Sequence, residues 1–313
     1  MARGGASLLD IWRARGQWLD VLGLKIFVVE AGPDQGAAGG TGGGTGERRT
    51  TPLVVLHGFP TSSHDFEPAL AVLAAERRVV LLDFPGFGLS AKPRDYSYSL
   101  LEQAEVAVAV WRRLGLTRAH VLAHDYGTSV ATELLARRER DLLPFEIETL
   151  TLCNGSVHIE LAQLALTQQV LRRPVVGPAL ARLFREQFFV GRMRRILGSP
   201  RAIDRARLAA MWQGVRESNG HERIPAISRY LDERTRFWSR WIGALRRFDR
   251  PTHVLWGRRD PIAVPAIAEA LHDDVEGSAL TWLDNLGHYP MLEDPRAWSE
   301  AVTGFLARYD VVR

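Results

Sequence analysis

The chain has 313 residues, 46% of them hydrophobic and 24% charged, with nine Trp and one Cys. So much apolar and aromatic side chain excludes a disordered or low-complexity protein, and a single Cys excludes an internal disulfide and a cysteine-rich metal cluster. The net charge is +4, and apart from Lys25 and Lys92 every basic residue is arginine. No nucleic-acid motif accompanies the arginines, no run of about 20 apolar residues spans a membrane, and residues 1–16 lack a signal peptide's apolar core. A cytoplasmic protein without a nucleic-acid partner is therefore expected.

From the N-terminus, short runs rich in Val, Leu and Ile alternate with longer amphipathic ones. The runs at 18–21, 25–30, 53–56, 79–82, 120–123, 147–152, 253–256 and 279–283 are bounded by Gly, Pro, Asp or Asn. That is the pattern of strands buried on both faces. Helical periodicity occupies 100–114, 128–138, 265–271 and 295–309. The alternation predicts right-handed crossovers and a mostly parallel, eight-stranded α/β sheet flanked by helices, with the first two strands as an antiparallel hairpin at its edge.

Two stretches interrupt the rhythm. Residues 36–46 contain seven Gly but neither G-x-G-x-x-G nor a Gly-Lys-Ser/Thr ending, so they read as a flexible surface loop and not as a phosphate cradle. Residues 155–248 carry no strand pattern and predict helices over 159–172, 178–189, 203–217 and 226–244. They divide the chain into a core of 1–154 and 249–313 and an inserted all-helical cap. Arg outnumbers acidic residues 18 to 7 in this insertion, which reads as a solvated basic face.

The chemistry concentrates at strand ends. The run from Val121 to Thr128 takes a buried strand through His124-Asp125-Tyr126-Gly127 directly into a helix, the arrangement of a nucleophile elbow. A helix N-terminus there stabilises negative charge. The elbow carries Asp where a hydrolase of acyl esters carries Ser. After the third strand, Leu56-His57-Gly58-Phe59-Pro60 presents the Phe59 amide, which with the Tyr126 amide makes a candidate oxyanion hole. Asp260 and His288 follow later strands, so nucleophile, acid and histidine come in that order at the carboxyl edge, where open α/β sheets bind ligands. Asp284, Glu293 and Asp294 rival Asp260. Asn154, a neutral amide, cannot serve as the acid, Cys153 reads as an inert buried thiol, and His120 and His124 lie too far apart to chelate a metal.

In these motifs the chain resembles the α/β-hydrolase superfamily, specifically its Asp-nucleophile branch of epoxide hydrolases and haloalkane dehalogenases. The runs His124 to Gly127, Met211 to Gly220, Arg240 to Leu245 and His288 to Pro295 are most similar to mesoderm-specific-transcript proteins. An Asp that attacks an sp³ carbon leaves an alkyl ester, which a His-activated water hydrolyses, whereas a Ser would leave an inert ether. The resemblance thus implies epoxide opening to a diol, with Asp125 as nucleophile, His288 as base and Asp260 orienting it. Haloalkane or haloacid dehalogenation, another hydrolytic activity, and ligand binding without turnover stand as alternatives. Epoxide hydrolases use cap tyrosines as proton donors, and the insertion offers one, Tyr230, which reads equally as a helix-packing residue. Dehalogenases hold halide with a Trp after the nucleophile and a second amide or indole. Tyr126 and Phe59 stand in those places here, leaving Trp212, Trp238 and Trp241 as halide candidates and Trp212 as a candidate substrate wall. The expected ligand is a small apolar substrate, with no metal or organic cofactor, and a homodimer is left open.

Overall fold

The computed structural model describes residues 6–33, 50–164, 166–173 and 175–310. The glycine-rich stretch 36–46 lies outside them. Eight strands form one sheet: β1 (Gln17–Val21), β2 (Leu24–Ala31), β3 (Leu53–Leu56), β4 (Val79–Leu82), β5 (Arg118–His124), β6 (Glu146–Cys153), β7 (Thr252–Gly257) and β8 (Ala279–Leu283). Their order is β1-β2-β4-β3-β5-β6-β7-β8. The first two form an antiparallel hairpin, β2 pairs antiparallel with β4, and all later pairs are parallel. This is the mostly parallel, eight-stranded sheet with an antiparallel edge hairpin that the strand pattern predicts.

Successive strand residues point to opposite faces, so alternate side chains feed two cores. Val54, Leu56, Val80 and Leu82 join one apolar cluster, and Leu53, Val55, Val79 and Leu81 join the other. Helices α1 (Leu8–Arg15), α2 (Leu70–Leu73), α3 (Leu100–Arg113) and α4 (Tyr126–Arg138) precede β6. Sequence reading assigned nothing before the first strand, yet α1 is capped reciprocally by Ser7 and Asp10 and buries Leu9 and Trp12.

Between β6 and β7 the described residues hold helices and no strand: α5 (Leu166–Leu171), α6 (Val176–Arg182), α7 (Glu186–Ile196), α8 (Arg205–Arg216), α9 (Ile224–Ile227), α10 (Tyr230–Arg236) and α11 (Trp238–Arg246). Helices α12 (Pro265–Asp274), α13 (Pro290–Glu293) and α14 (Pro295–Leu306) complete the chain.

The insertion's helices are shorter and more numerous than predicted. The expected helix 159–172 begins only at Leu166, and 178–189 breaks where Arg185 is extended at the start of α7. The stretch 226–244 divides into three, with Phe237 leaving helical geometry between α10 and α11. Their ends are set by packing on one another and on helices such as α1 and α4, and not by propensity, which is only a weak prior. Tyr230 and Trp241 join the first cluster while Phe189, Met193 and Trp212 join the second, so the insertion straddles both cores. Buried Glu133 on α4 fixes one end, accepting hydrogen bonds from Arg137, Arg240 and Trp241.

Candidate active site

The sheet order reverses between β3 and β5, because the chain moves outward from β3 to β4 and then returns past β3. A crevice opens at such a switch point, beyond the carboxyl ends of the strands. Asp125 stands there with φ 44° and ψ −105°, a left-handed backbone that costs a non-glycine residue about 1–3 kcal/mol. The turn persists because β5 and α4 are both packed. A Cβ on Gly127 would overlap the Leu56 carbonyl oxygen, so only glycine lets α4 approach β3 this closely.

The Phe59 amide donates to Asp125 Oδ2 at 3.0 Å. Its loop is tied down from several sides. Tyr289 Oη donates to the Phe59 carbonyl at 3.2 Å, and His57, neutral in its buried setting, accepts from the Phe84 amide at Nε2. Asp83 accepts from the Ser63 amide and hydroxyl and from the Leu89 amide, and a Cβ on Gly88 would collide with its carboxylate. The Tyr126 amide opens α4 beside Asp125, among the first-turn donors that lack an intrahelical acceptor.

His288 Nε2 lies 3.9 Å from Asp125 Oδ2, and its Nδ1 lies 2.6 Å from Asp260 Oδ2. Asp260 is itself held: its Oδ1 accepts from the Ile262 and Ala263 amides, and its Oδ2 accepts from Asn154 Nδ2 at 2.8 Å. His124, kept neutral by burial that lowers its pKa to about 3, donates from Nε2 to the His288 carbonyl at 2.7 Å. Burial opposes charge on both His288 and Asp125, but their mutual attraction prevails. His288 is pushed up to about 10 by Asp260 and Asp125 against that burial. Asp125 is held below the ordinary carboxylate range by His288 and then Arg234. At neutral pH the pair rests as imidazolium and carboxylate.

Arg234 on α10 has no precedent in the sequence reading. Only 1% of it is exposed, and Nη2 donates to the Asp125 carbonyl at 3.1 Å and lies 3.7 Å from Asp125 Oδ1. Its Nε donates to Ser129 at 2.7 Å, and its guanidinium sits 4.5 Å from the Tyr230 ring centroid. Tyr230 in turn packs on Phe59 and Tyr126. Arg234, Tyr230, Asp125 and His288 all face one cavity of about 90 Å³, otherwise walled largely by apolar side chains such as Phe184, Phe188 and Met193.

Residues 51–295 match the family described as alpha/beta hydrolase fold. The chain belongs to that family. LipZ of Mycobacterium tuberculosis, which is named as a hydrolase, is 39% identical over 296 residues, covering 94% of this chain and 96% of LipZ. The human mesoderm-specific transcript homolog protein is 35% identical over 305 residues, covering 95% of this chain and 88% of its own. The haloalkane dehalogenase DbeA from Bradyrhizobium elkani USDA94 superposes with a TM-score of 0.75 at 23% identity, over 94% of this chain and 98% of that one. This last likeness concerns the fold.

Of the residues singled out in sequence, Asp125, Asp260, His288, Phe59, Tyr126 and Tyr230 converge within this hydrolase-fold site. Trp212 does not. It packs behind the wall on Phe184 and Phe189, and does not line the cavity, because its face of α8 turns into the second core. The tryptophans at 238 and 241 are also turned away, with Trp238 donating to Glu160 and Trp241 to Glu133. Asn154, set aside in sequence as unable to be the acid, is the amide that holds the acid. Its place directly after β6, at the carboxyl edge of the sheet, was the available signal. Nothing local marks Arg234 among so many arginines.

Proposed function

We propose that the protein is an Asp-nucleophile hydrolase that opens epoxides to diols, with residues 155–248 as the cap that closes the site. The observation that carries this reading is a carboxylate at the elbow, ionised and hydrogen-bonded, sharing a cavity with Tyr230, Arg234 and His288. Oδ2 is engaged by the Phe59 amide, which leaves Oδ1 to attack a ring carbon. The carbon–oxygen bond breaks as Tyr230 gives a proton to the departing oxygen, with the Arg234 cation beside the developing charge. The product is a hydroxyalkyl ester on Asp125.

Esterification removes the Asp125 charge that helped keep His288 protonated. His288 then gives up its proton, which through solvent restores the Tyr230 hydroxyl, and the neutral imidazole takes a proton from the water that attacks the ester carbonyl. Oδ2 takes the negative charge of the tetrahedral intermediate under the Phe59 and Tyr126 amides. Its collapse expels the diol and restores the Asp125 carboxylate. Asp260 holds the imidazole in orientation throughout.

A second reading, displacement of halide from a haloalkane or haloacid, is favoured by one observation only, the positive charge of Arg234 inside the cavity. The indoles that would hold halide point elsewhere. The two readings share the ester and differ in what leaves. In His288→Gln the ester should form and persist, read as an added mass on the peptide containing Asp125. An epoxide adds its whole mass, whereas a haloalkane adds its mass less hydrogen halide and releases halide. No adduct from either class would overturn the nucleophile.

A further inference from the structure

Among the described residues, five of the twelve exposed large apolar side chains gather on α6 and its flanks. Val175 is 83% exposed and Leu183 69%, and Val176, Leu180 and Phe188 are exposed beside them. Single exposed apolar residues are ordinary, but a contiguous group marks an interaction site. On one side of α6, Leu180, Leu183 and Phe188 line an apolar groove of about 300 Å³. On its other side a second groove is lined by Arg172, Arg173, Arg182, Arg223 and Arg229, with Glu222 as its one carboxylate. Asp232 pairs with Arg172 and Glu222 with Arg223; among the described residues, Arg173, Arg182 and Arg229 pair with no carboxylate.

Apolar side chains standing out of the surface next to unneutralised arginines are the composition of an element lying in a lipid interface, its cations among phosphates and its apolar groups among acyl chains. The apolar groove also adjoins the cavity. Leu171, Phe184 and Phe188 line both it and the cavity that holds Asp125. We infer that the α5–α7 face docks on an anionic lipid surface and admits an amphiphilic substrate along the apolar groove to Asp125. The docking stands on the surface alone; the delivery of substrate rests on the hydrolase reading above. A cavity of about 90 Å³ is smaller than the roughly 150 Å³ that takes a benzene ring, so a longer substrate extends back past these shared walls.

The test is co-sedimentation of the full chain with vesicles of phosphatidylcholine alone and of phosphatidylcholine mixed with phosphatidylglycerol. Binding is expected on the mixed vesicles and should weaken as salt is raised. Arg173→Glu with Arg182→Glu should lower it about 30-fold or more, from the loss of two cations near the surface. Val175→Asp with Val176→Asp, two exposed residues outside both the groove and the cavity, should weaken binding on the mixed vesicles, with helical circular dichroism and turnover of a small soluble epoxide unchanged. Both pairs of variants binding like the parent would overturn the docking, as would self-association through this face, seen in sedimentation velocity and abolished by Leu183→Asp. Vesicle binding without turnover of any epoxide or haloalkane would leave the docking intact and remove the hydrolase reading.

Discussion

The sheet edge and the helical insertion contribute to one cavity in different ways. At the sheet edge, backbone amides hold the side chains: Phe59 on Asp125, and Ile262 and Ala263 on Asp260. The insertion contributes through long side chains, Arg234 and Tyr230, stacked on each other and on core aromatics. Groups held by backbone keep their geometry when neighbours change, whereas groups held by packing move with their helix. The core is therefore suited to the invariant steps of a reaction, and the insertion to the choice of what reacts.

The largest effects should come from the core. Asp125→Ala should lower turnover by on the order of 10⁴-fold or more, and Asp260→Ala by about 10³–10⁴-fold, for every substrate alike. Steady-state rates over a panel of epoxides and haloalkanes check this. Substrate-dependent losses at Asp260 would break the division between regions.

Next come the two insertion groups that line the cavity beside Asp125. Tyr230→Phe should slow ester formation by about 10²-fold while leaving hydrolysis of the preformed ester nearly unchanged, as measured by single-turnover kinetics in the two phases. Equal slowing of both phases would assign Tyr230 to packing. Arg234→Met should slow ester formation and also lower the melting temperature, because the Asp125 carbonyl and Ser129 lose a buried donor.

The pH dependence should separate the two steps. Asp125 is held below the ordinary carboxylate range, so it remains ionised and ester formation should stay level as pH falls to about 5. Hydrolysis needs His288 neutral. Its resting pKa of about 10 drops when Asp125 is esterified, and the hydrolysis rate should rise with pH through that lowered value. The burst of trapped ester should consequently grow as the solution is made more acidic. A burst that shrinks would contradict the assignment of His288 as the water-activating base.

The smallest effect on selectivity is expected at Trp212. Packed behind the wall, Trp212→Ala should cost about 3–5 kcal/mol of stability and scale all substrates together. Phe188→Ala, on the cavity wall, should instead shift the preference between short and long substrates several-fold. Denaturant melts beside the same substrate panel distinguish the two.

The sequence by itself determined all eight strands, the hairpin at the sheet edge, and the order Asp125, Asp260, His288 at strand ends. These are local properties: a short continuous apolar run bounded by turn residues writes a strand buried on both faces, and a strand that ends in a tight turn exposes its next side chain at the carboxyl edge. It also predicts helices and no strand between the sixth and seventh strands, since 155–248 holds no such run. Only the tertiary structure decided where the insertion's helices break, that Trp212 faces away, that Asn154 holds Asp260, and that Arg234 lies against Asp125. Each depends on the angle at which one packed element meets another, and side chains 109 residues apart, as Arg234 and Asp125 are, share no local pattern that could announce the meeting.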